Sequence, residues 1–181
     1  PPHSSHSTVV LDRDGAWLGA FVASDGKWRF PHEELPPKLI DGLIAFEDQR
    51  FALHPGVDPI AMARAVLQNA IVGEVVSGGS TITMQVARMI ERRPRTLASM
   101  GIEAFRALQL EMHLSKQAIL ALYFDLAPYG GNIEGIGAAA RIYYGRAPNE
   151  LALDELATLI ALPNAPERLR PDRHPDRLRA R

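Results

Sequence analysis

The sequence predicts a mainly α-helical domain with a small β ribbon at its amino-terminal end. From about residue 36 onward, apolar residues recur three and four positions apart, which is typical of helices with one buried face. Before that point, short apolar runs alternate with turn residues, which is typical of strands. The 181 residues are enough for one domain with its own core. We assign residues 1–35 to a β ribbon and linker and residues 36–181 to the helical domain.

Two turn signals define the ribbon. Arg13-Asp14-Gly15 separates Thr8–Leu11 from Ala16–Val22, and Asp25-Gly26 precedes Lys27–Phe30, so three strands are expected. We interpret this ribbon as an extension that packs on something outside the catalytic core.

Helix boundaries follow from capping and breaking residues. Asp58-Pro59 is typical of a helix start, because the carboxylate caps free N–H groups and proline suits the first turn. Ser115 is a similar N-cap, and Pro94 interrupts a helical pattern. The predicted helices begin near Pro36 and continue as Pro59–Ile71, Thr81–Ile90, Leu97–Leu114, Lys116–Leu126, a helix between Gly130-Gly131 and Gly145, and Asp154–Leu162.

Composition excludes several kinds of site. The chain has no cysteine, which excludes disulfides, thiolate nucleophiles and cysteine-based zinc sites. The net charge is only −1, but arginines cluster between Arg88 and Arg106 and again from Glu167 to Arg181. Either cluster fits a solvated surface, and the first fits an anionic ligand equally well. The sequence has no signal peptide and no apolar run near the ~20 residues that span a bilayer. We expect both ends to be cuts in a longer protein.

Two adjacent acids, Glu47 and Asp48, follow an apolar helical segment. Helical spacing places Glu47 on the face of Leu43, Ile44 and Phe51, so its carboxylate is expected to be partly desolvated. Partial desolvation makes a carboxylate a better general base near neutral pH. A solvated acid pair near a helix end is the alternative, and these residues taken alone favour it.

A second segment, Gly78–Gln85, reads Gly-Gly-Ser-Thr-Ile-Thr-Met-Gln and leads into a helix that carries Arg88. Glycines let the backbone approach a ligand, and hydroxyls and free N–H groups at a helix N-terminus bind pyrophosphate. Such a segment is weak by itself, because most are loops that cap helices.

Taken in order, the two segments resemble the first two signatures of the peptidoglycan glycosyltransferases, glycosyltransferase family fifty-one. The resemblance covers about residues 36 to 180. It is carried by Glu47-Asp48 with Phe51, His54 and Gly56, by Gly78–Gln85, and by Ala107–Glu111, Ser115–Tyr123, Gly135–Ala139 and Tyr144–Arg146. The C-type class A penicillin-binding proteins are similar in particular at Met84–Arg88, Leu169–Arg173 and Trp28-Arg29.

The resemblance implies a lysozyme-like fold and an inverting transferase that polymerises lipid II into glycan strands. Glu47 corresponds to the general base, which takes the proton from the 4-hydroxyl of the acceptor N-acetylglucosamine. That oxygen attacks the anomeric carbon of the donor N-acetylmuramic acid and displaces undecaprenyl pyrophosphate. Glu103 corresponds to the second catalytic carboxylate, which assists the leaving group or steadies the developing charge.

The resemblance also implies a substrate-binding set. Of its members, Asp48 and His54 are expected to hold the loop rather than react, and Lys116 is expected to be partly structural. Four others are expected to line the donor and its pyrophosphate, namely Ser80, Thr81, Gln85 and Arg88. The whole set is Asp48, Phe51, His54, Ser80, Thr81, Gln85, Arg88 and Lys116.

The chain departs from the family at the third signature. The family has Arg-Lys at the two places held here by Ser99 and Met100, so two cations expected near the pyrophosphate are missing. The nearby Arg92, Arg93 and Arg95 are candidate substitutes. In the fourth signature, Asp125 replaces the usual Asn and Ala118 replaces an acid.

Two alternatives to the transferase stay open. A lysozyme-like hydrolase shares the fold and the paired acids, but hydrolysis needs no pyrophosphate cradle such as Gly78–Gln85. A weakly active or non-catalytic scaffold that binds lipid II or glycan is supported by Ser99 and Met100.

The resemblance also implies the surroundings of the domain. We expect lipid II, the growing glycan chain, the membrane surface and a carboxyl-terminal transpeptidase domain as partners, and no nucleic acid. The expected location is the periplasmic face of the bacterial inner membrane, with the anchor outside this sequence. The apolar helix Ile60–Ile71 fits core packing as well as shallow membrane contact. No cofactor is expected to be required, and a divalent cation, Mg²⁺ or Mn²⁺, at the leaving group is left open.

Overall fold

The computed structural model describes residues 5–15, 17–30, 34–72, 79–94, 96–173 and 176. Within these ranges it contains seven α-helices and two short antiparallel sheets, so the predicted mainly helical fold is confirmed. The helices are α1 (Pro37–Glu47), α2 (Pro59–Val72), α3 (Ile82–Ile90), α4 (Leu97–His113), α5 (Lys116–Leu126), α6 (Ile136–Tyr144) and α7 (Leu153–Ala161). The strands are β1 (Thr8–Leu11), β2 (Trp17–Phe21), β3 (Pro128–Gly130) and β4 (Ile133–Glu134).

The chain divides into two compact units. The first comprises residues 1–43 and 124–181, and the second comprises residues 44–123. We call them the ribbon unit and the signature unit, because they contain the β ribbon and the first two sequence signatures respectively.

In the ribbon unit, β1 and β2 pair antiparallel, with Thr8 opposite Phe21. The predicted third strand does not form as a strand. Only Trp28 of that segment makes a β-bridge, and its partner is Ile133 in a parallel arrangement. The sequence could not reveal this partner, because the bridge joins residues more than a hundred positions apart.

The segment that follows the second turn is attached to the helical part of the same unit. The carboxylate of Glu134 accepts hydrogen bonds from Lys27 and Arg29, and the Trp28 N–H donates to Asn132 O over 2.8 Å. This segment is therefore held by contacts with Asn132 and Glu134 of the same unit. The physical reason is a buried acid, since Glu134 is only 7% exposed and requires cationic partners.

The rest of the ribbon unit has a conventional apolar core. Its fully buried members include Leu39, Ala138, Ala139, Leu159 and Leu162. Helices α1 and α7 approach closely, because a Cβ added at Gly42 would lie 2.7 Å from Ile160 Cδ1.

The signature unit is built around α3. The buried face of this helix consists of Ile82, Thr83, Met84, Val86 and Ala87, and α3 packs against α4. Buried side chains therefore fix the orientation of α3, and Gln85 and Arg88 lie outside this buried set.

The predicted helix starts are confirmed where they depend on a local cap. Asp58 Oδ1 accepts from the N–H groups of Ile60 and Ala61 at the start of α2, and Ser115 Oγ accepts from the Ala118 N–H at the start of α5. Helix α2 ends at Val72, one residue beyond the predicted end at Ile71.

Helix α1 differs from its prediction at its end. It stops at Glu47, and Phe51 lies in a separate 3₁₀ turn, Phe51–Leu53. Beyond the helix end, the Asp48 side chain bonds to His54 and to the Ile82 N–H. Glu47 and Phe51 are therefore not on one continuous helix face.

Candidate active site

The loop after α1 is held by a buried Asp–His pair. Nε2 of His54 lies 3.0 and 3.1 Å from the two carboxylate oxygens of Asp48, and the Gly56 N–H donates to Nδ1 over 3.1 Å. Because Nδ1 accepts a hydrogen bond, it carries no proton, so Nε2 carries the proton and donates it to Asp48. Asp48 and His54 are buried, with 7% and 5% of each residue exposed. This geometry agrees with the expectation that they hold the loop.

The same loop is fastened to the start of α3. Asp48 Oδ2 accepts from the Ile82 N–H over 3.0 Å, and Thr81 Oγ1 donates to Gly56 O over 2.6 Å. Gly56 has a φ of +98°, and an added Cβ would lie 2.7 Å from Ala107 O. The turn therefore requires glycine at this position.

These contacts correct part of the prediction for the pyrophosphate cradle. The first N–H groups of α3 were expected to be free for a ligand, but Asp48 accepts from Ile82 and Thr81 Oγ1 accepts from Met84 over 3.1 Å. An anionic side chain already occupies the favourable helix N-terminus, so a second anion has little to gain there. Gly78 lies outside the described residues.

Lys116 is directed into the protein. Its Nζ donates to His54 O and to Glu111 Oε1, each over 2.7 Å, and lies 4.3 Å from the centroid of the Phe51 ring. Thr83 Oγ1 donates to the same Glu111 oxygen over 2.7 Å. Lys116 thus joins the loop, α3 and α4, which agrees with the expectation that its role is partly structural. Glu111 belongs to the segment Ala107–Glu111, which carries part of the family resemblance, but no role was predicted for it.

The two predicted catalytic carboxylates are both held by α3. Gln85 Nε2 donates to Glu47 Oε2 over 2.9 Å. Arg88 donates to Glu103 through Nε and Nη2, over 2.9 and 2.8 Å. Gln85 and Arg88 are one helical turn apart, so their side chains share a face of α3. The structure therefore brings Glu47 and Glu103 to the same face of one helix.

Arg88 also reaches the loop before α3. Its Nη2 lies 3.2 Å from Ser80 Oγ, so one guanidinium connects Ser80 with Glu103. Glu103 is only 3% exposed, and Glu47 is half-buried.

A cavity of about 140 Å³ opens beside Glu47. Its wall also contains Ser80 and Thr81, together with two arginines that sequence reasoning missed, Arg50 and Arg64. Arg50 Nε lies 3.3 Å from Asp58 Oδ2. Arg64 had a sequence signal, because it is the one charged residue in the mostly apolar segment Ile60–Ile71.

With this geometry in view, comparison with known proteins decides the family. The chain matches the transglycosylase family over residues 15–181. It belongs to that family.

The transglycosylase domain has clear relatives among penicillin-binding proteins. It is 49% identical over 174 residues to penicillin-binding protein 1C of Escherichia coli strain K12, which covers 95% of this chain and 23% of the relative. It is 37% identical to penicillin-binding protein 1A of Aquifex aeolicus strain VF5, over 98% of this chain and 24% of the relative. It is 39% identical to penicillin-binding protein 1A of Escherichia coli strain K12, over 90% of this chain and 20% of the relative.

These relatives confirm the resemblance to the class A penicillin-binding proteins, and the 1C relative agrees with the C-type features. The chain spans about a quarter of the length of the relatives it matches.

The departure at the third signature has a structural context in this transglycosylase. Ser99 is buried in the first turn of α4, where its N–H donates to Thr96 Oγ1 over 3.1 Å and its Oγ accepts from the Thr96 hydroxyl over 3.0 Å. Met100 is half-buried. These positions therefore present a hydroxyl and a thioether on the turn before Glu103.

Of the candidate substitute arginines, Arg93 is bonded to a carboxylate other than Glu103. Arg93 donates to Glu91 over 2.8 Å, and Arg106 lies 3.2 Å from the same carboxylate. Arg92 is exposed, and Arg95 lies outside the described residues. Arg88 is the cation that the structure places against Glu103.

Among the described residues, no group of three or more His, Cys, Asp or Glu side chains is arranged to hold a metal ion. No helix within the same residues has the length and hydropathy needed to cross a membrane.

Proposed function

We propose that this transglycosylase domain polymerises lipid II into glycan strands by inverting transfer, with release of undecaprenyl pyrophosphate. The observation that carries the proposal is the face of α3 that holds Glu47 through Gln85 and Glu103 through Arg88. It combines an acceptor for a proton with a cation for a leaving anion, and an inverting transfer to a hydroxyl needs both.

Glu47 is the general base in this proposal. Its carboxylate takes the proton from the acceptor 4-hydroxyl while that oxygen forms the new bond to the anomeric carbon of the donor. The Gln85 amide donates to one Glu47 oxygen, Oε2, and so fixes the plane of the carboxylate. Positioned general bases typically contribute ~10²–10⁴-fold to rate.

Arg88 and Ser80 stabilise the leaving group. The bond from the anomeric carbon to the pyrophosphate oxygen breaks with its electron pair, so negative charge builds on that oxygen. A guanidinium beside this oxygen stabilises the transition state more than the ground state. Glu103 acts by fixing Arg88, whose Nε and Nη2 both donate to this carboxylate. A requirement for Mg²⁺ or Mn²⁺ is left open.

We further propose that α2 contacts the membrane surface that supplies the lipid substrate. Leu67 and Ile71 are 64% and 83% exposed on this helix, and Ile60 is 60% exposed on the same face. Phe46 and Leu53 add exposed apolar surface in the same unit. Exposure of this size favours interfacial contact over core packing for this helix. We place the site at the periplasmic face of the inner membrane, with a transpeptidase domain elsewhere in the longer protein.

The test is turnover of labelled lipid II by the Glu47→Gln variant. Glutamine keeps the size and can still accept from Gln85, but it cannot take a proton. Polymerisation should fall by ~10²–10⁴-fold, with little change in melting temperature. Asp41→Asn, an exposed acid on the same helix, is the matched control and should polymerise like the parent. Equal rates for parent and Glu47→Gln would exclude Glu47 as the base.

A scaffold that binds lipid II without turnover is the second candidate, and Ser99 and Met100 favour it. The same assay separates the candidates. Polymer supports the transferase, bound but unchanged lipid II supports the scaffold, and shortened glycan supports a hydrolase.

A further inference from the structure

Helix α2 carries a cation in the middle of its exposed apolar face. Ile60, Leu67 and Ile71 are 60%, 64% and 83% exposed. Arg64 is also exposed, and it lies four residues after Ile60 and three before Leu67, so these side chains share one face of the helix. Arg64 is the one charged residue in Pro59–Val72. The face therefore combines apolar surface with a positive charge and no acid.

The opposite side of α2 is packed against the protein itself. Ala65 is only 3% exposed. A Cβ added at Gly79 would lie 3.0 Å from Met62 Cα and 3.4 Å from Ala65 Cβ, so the loop before α3 packs directly against α2. This contact determines which side of α2 is packed and leaves the face that carries Arg64 exposed.

The Arg64 guanidinium is available to a ligand. Within the part of the chain that the structure describes, no hydrogen bond or ion pair joins Arg64 to another group. Arg50, the other arginine in the wall of the cavity beside Glu47, differs because its Nε lies 3.3 Å from Asp58 Oδ2. An arginine flanked by apolar residues can lay its stem along an apolar surface and keep its charged end at the polar boundary. At a membrane that boundary is the layer of headgroup phosphates, and a guanidinium binds phosphate well.

We propose that the exposed face of α2 binds the anionic headgroups of a phospholipid surface through Arg64, with its three apolar residues inserted between the headgroups. The inference rests on the proposed function, which places α2 at a membrane, and it adds the charge of the lipid that is recognised. A free phosphate ion would leave the apolar residues on both sides of Arg64 in water. An uncharged lipid surface would give the guanidinium no anion. An anionic lipid surface matches both parts of the face.

The contact also places the membrane next to the candidate active site. Arg64 and Phe46 both line the cavity beside Glu47, and Phe46 is 51% exposed. A lipid surface held by Arg64 therefore reaches the rim of this cavity. Lipid-linked substrate that diffuses in the bilayer would meet Glu47 at that rim.

Co-sedimentation with vesicles tests the proposal without lipid II. The vesicles consist either of phosphatidylcholine alone or of equimolar phosphatidylcholine and phosphatidylglycerol. We expect tighter binding to the vesicles with phosphatidylglycerol, and this preference should decrease as salt is added. Arg64→Gln should weaken binding to these vesicles roughly 5-fold, as expected for one arginine near an anionic surface, with little change on phosphatidylcholine alone. Arg64→Lys keeps the charge and should bind like the parent.

A second variant isolates the apolar part of the face. Leu67→Gln should weaken binding to both kinds of vesicle by roughly 10-fold, as expected for loss of one inserted apolar side chain, and should keep the preference for phosphatidylglycerol. Arg13→Gln removes an exposed arginine between two acids in the ribbon turn. It is the matched control and should bind both kinds of vesicle like the parent. Melting temperatures identify any unfolded variant.

Three results would each overturn the proposal: no binding of the parent to vesicles, equal binding to both kinds, or parental binding by folded Arg64→Gln or Leu67→Gln. The test is separable from that of the proposed function. Glu47→Gln should lose polymerisation and keep the preference for vesicles with phosphatidylglycerol. Polymerisation of lipid II in detergent requires no phospholipid, so failure of vesicle binding leaves that assay unaffected.

Discussion

Removal of the Arg88 guanidinium is expected to change both the stability and the activity of the domain. Arg88 donates twice to Glu103, a carboxylate that is 3% exposed and lies against α3. In Arg88→Ala, the buried Glu103 carboxylate loses both donors. An uncompensated buried charge is among the most destabilising consequences of a single substitution.

The expected loss of stability depends on how deeply Arg88 and Glu103 are buried. Breaking a fully buried ion pair costs ~3–5 kcal/mol. The Arg88 side chain is 25% exposed, compared with 4% for Glu103, so water can enter the vacated space and reduce the loss. We therefore expect Arg88→Ala to lower the free energy of unfolding by about 3 kcal/mol. Urea titration followed by circular dichroism measures this change.

The activity of the same variants separates positioning from charge. Arg88→Lys keeps a cation but lacks the fork that bonds to both Glu103 oxygens, so it should retain part of the stability and lose most of the turnover. Arg106→Ala, which removes an exposed cation near Glu91, is the control and should change neither quantity noticeably. If Arg88→Ala kept parental stability and turnover, the pyrophosphate would be held elsewhere. The Arg88–Glu103 ion pair would then contribute to neither quantity.

Two further predictions concern the scaffold. Burial would raise the pKa of Glu134, but hydrogen bonds from Arg29 and Lys27 outweigh it and lower the pKa. The resulting stabilisation is complete above the unfolded pKa of ~4.3 and is lost as pH falls through the folded value. In urea titrations, Glu134→Gln should therefore lower the free energy of unfolding by about 3 kcal/mol at neutral pH. The difference from the parent should shrink progressively below ~pH 4, and a difference that does not change with pH would refute this reasoning. Gly56→Ala should lower the melting temperature and cost at least ~1 kcal/mol, because its φ is +98° and its Cβ would meet Ala107 O; an unchanged melting temperature would show that the loop adapts.

The sequence predicted the helices well because their starts depend on local chemistry. The side chains of Asp58 and Ser115 each bond to N–H groups within three residues, so the interaction is complete within a short window. A capping residue and the apolar spacing behind it are enough to identify such a start.

The bonds that organise the site are not local. Arg88 and Glu103 are 15 residues apart, Asp48 and the Ile82 N–H are 34 apart, and Lys116 and the His54 carbonyl are 62 apart. No spacing rule predicts such partners. The sequence therefore supplied the site residues through family resemblance, but it missed that Asp48 already caps α3. For the same reason it did not show that Arg88 is bonded to Glu103.

The missing Arg-Lys pair of the third signature can now be interpreted physically. Ser99 lies four residues before Glu103 on α4, so an arginine there would share its helix face and compete with Arg88. In the double variant Ser99→Arg, Met100→Lys, we expect Glu103 to accept from residue 99 and Arg88 to turn toward the donor pyrophosphate, which should raise turnover severalfold. Ser99 is buried and bonded to Thr96, so overpacking at this position should cost ~1–3 kcal/mol. Met100→Lys alone, at a half-buried position, controls for added charge. Turnover and unfolding free energy measured together separate the gain from the cost, and a stable double variant with parental turnover would show that Arg88 alone supplies the charge that the leaving group needs.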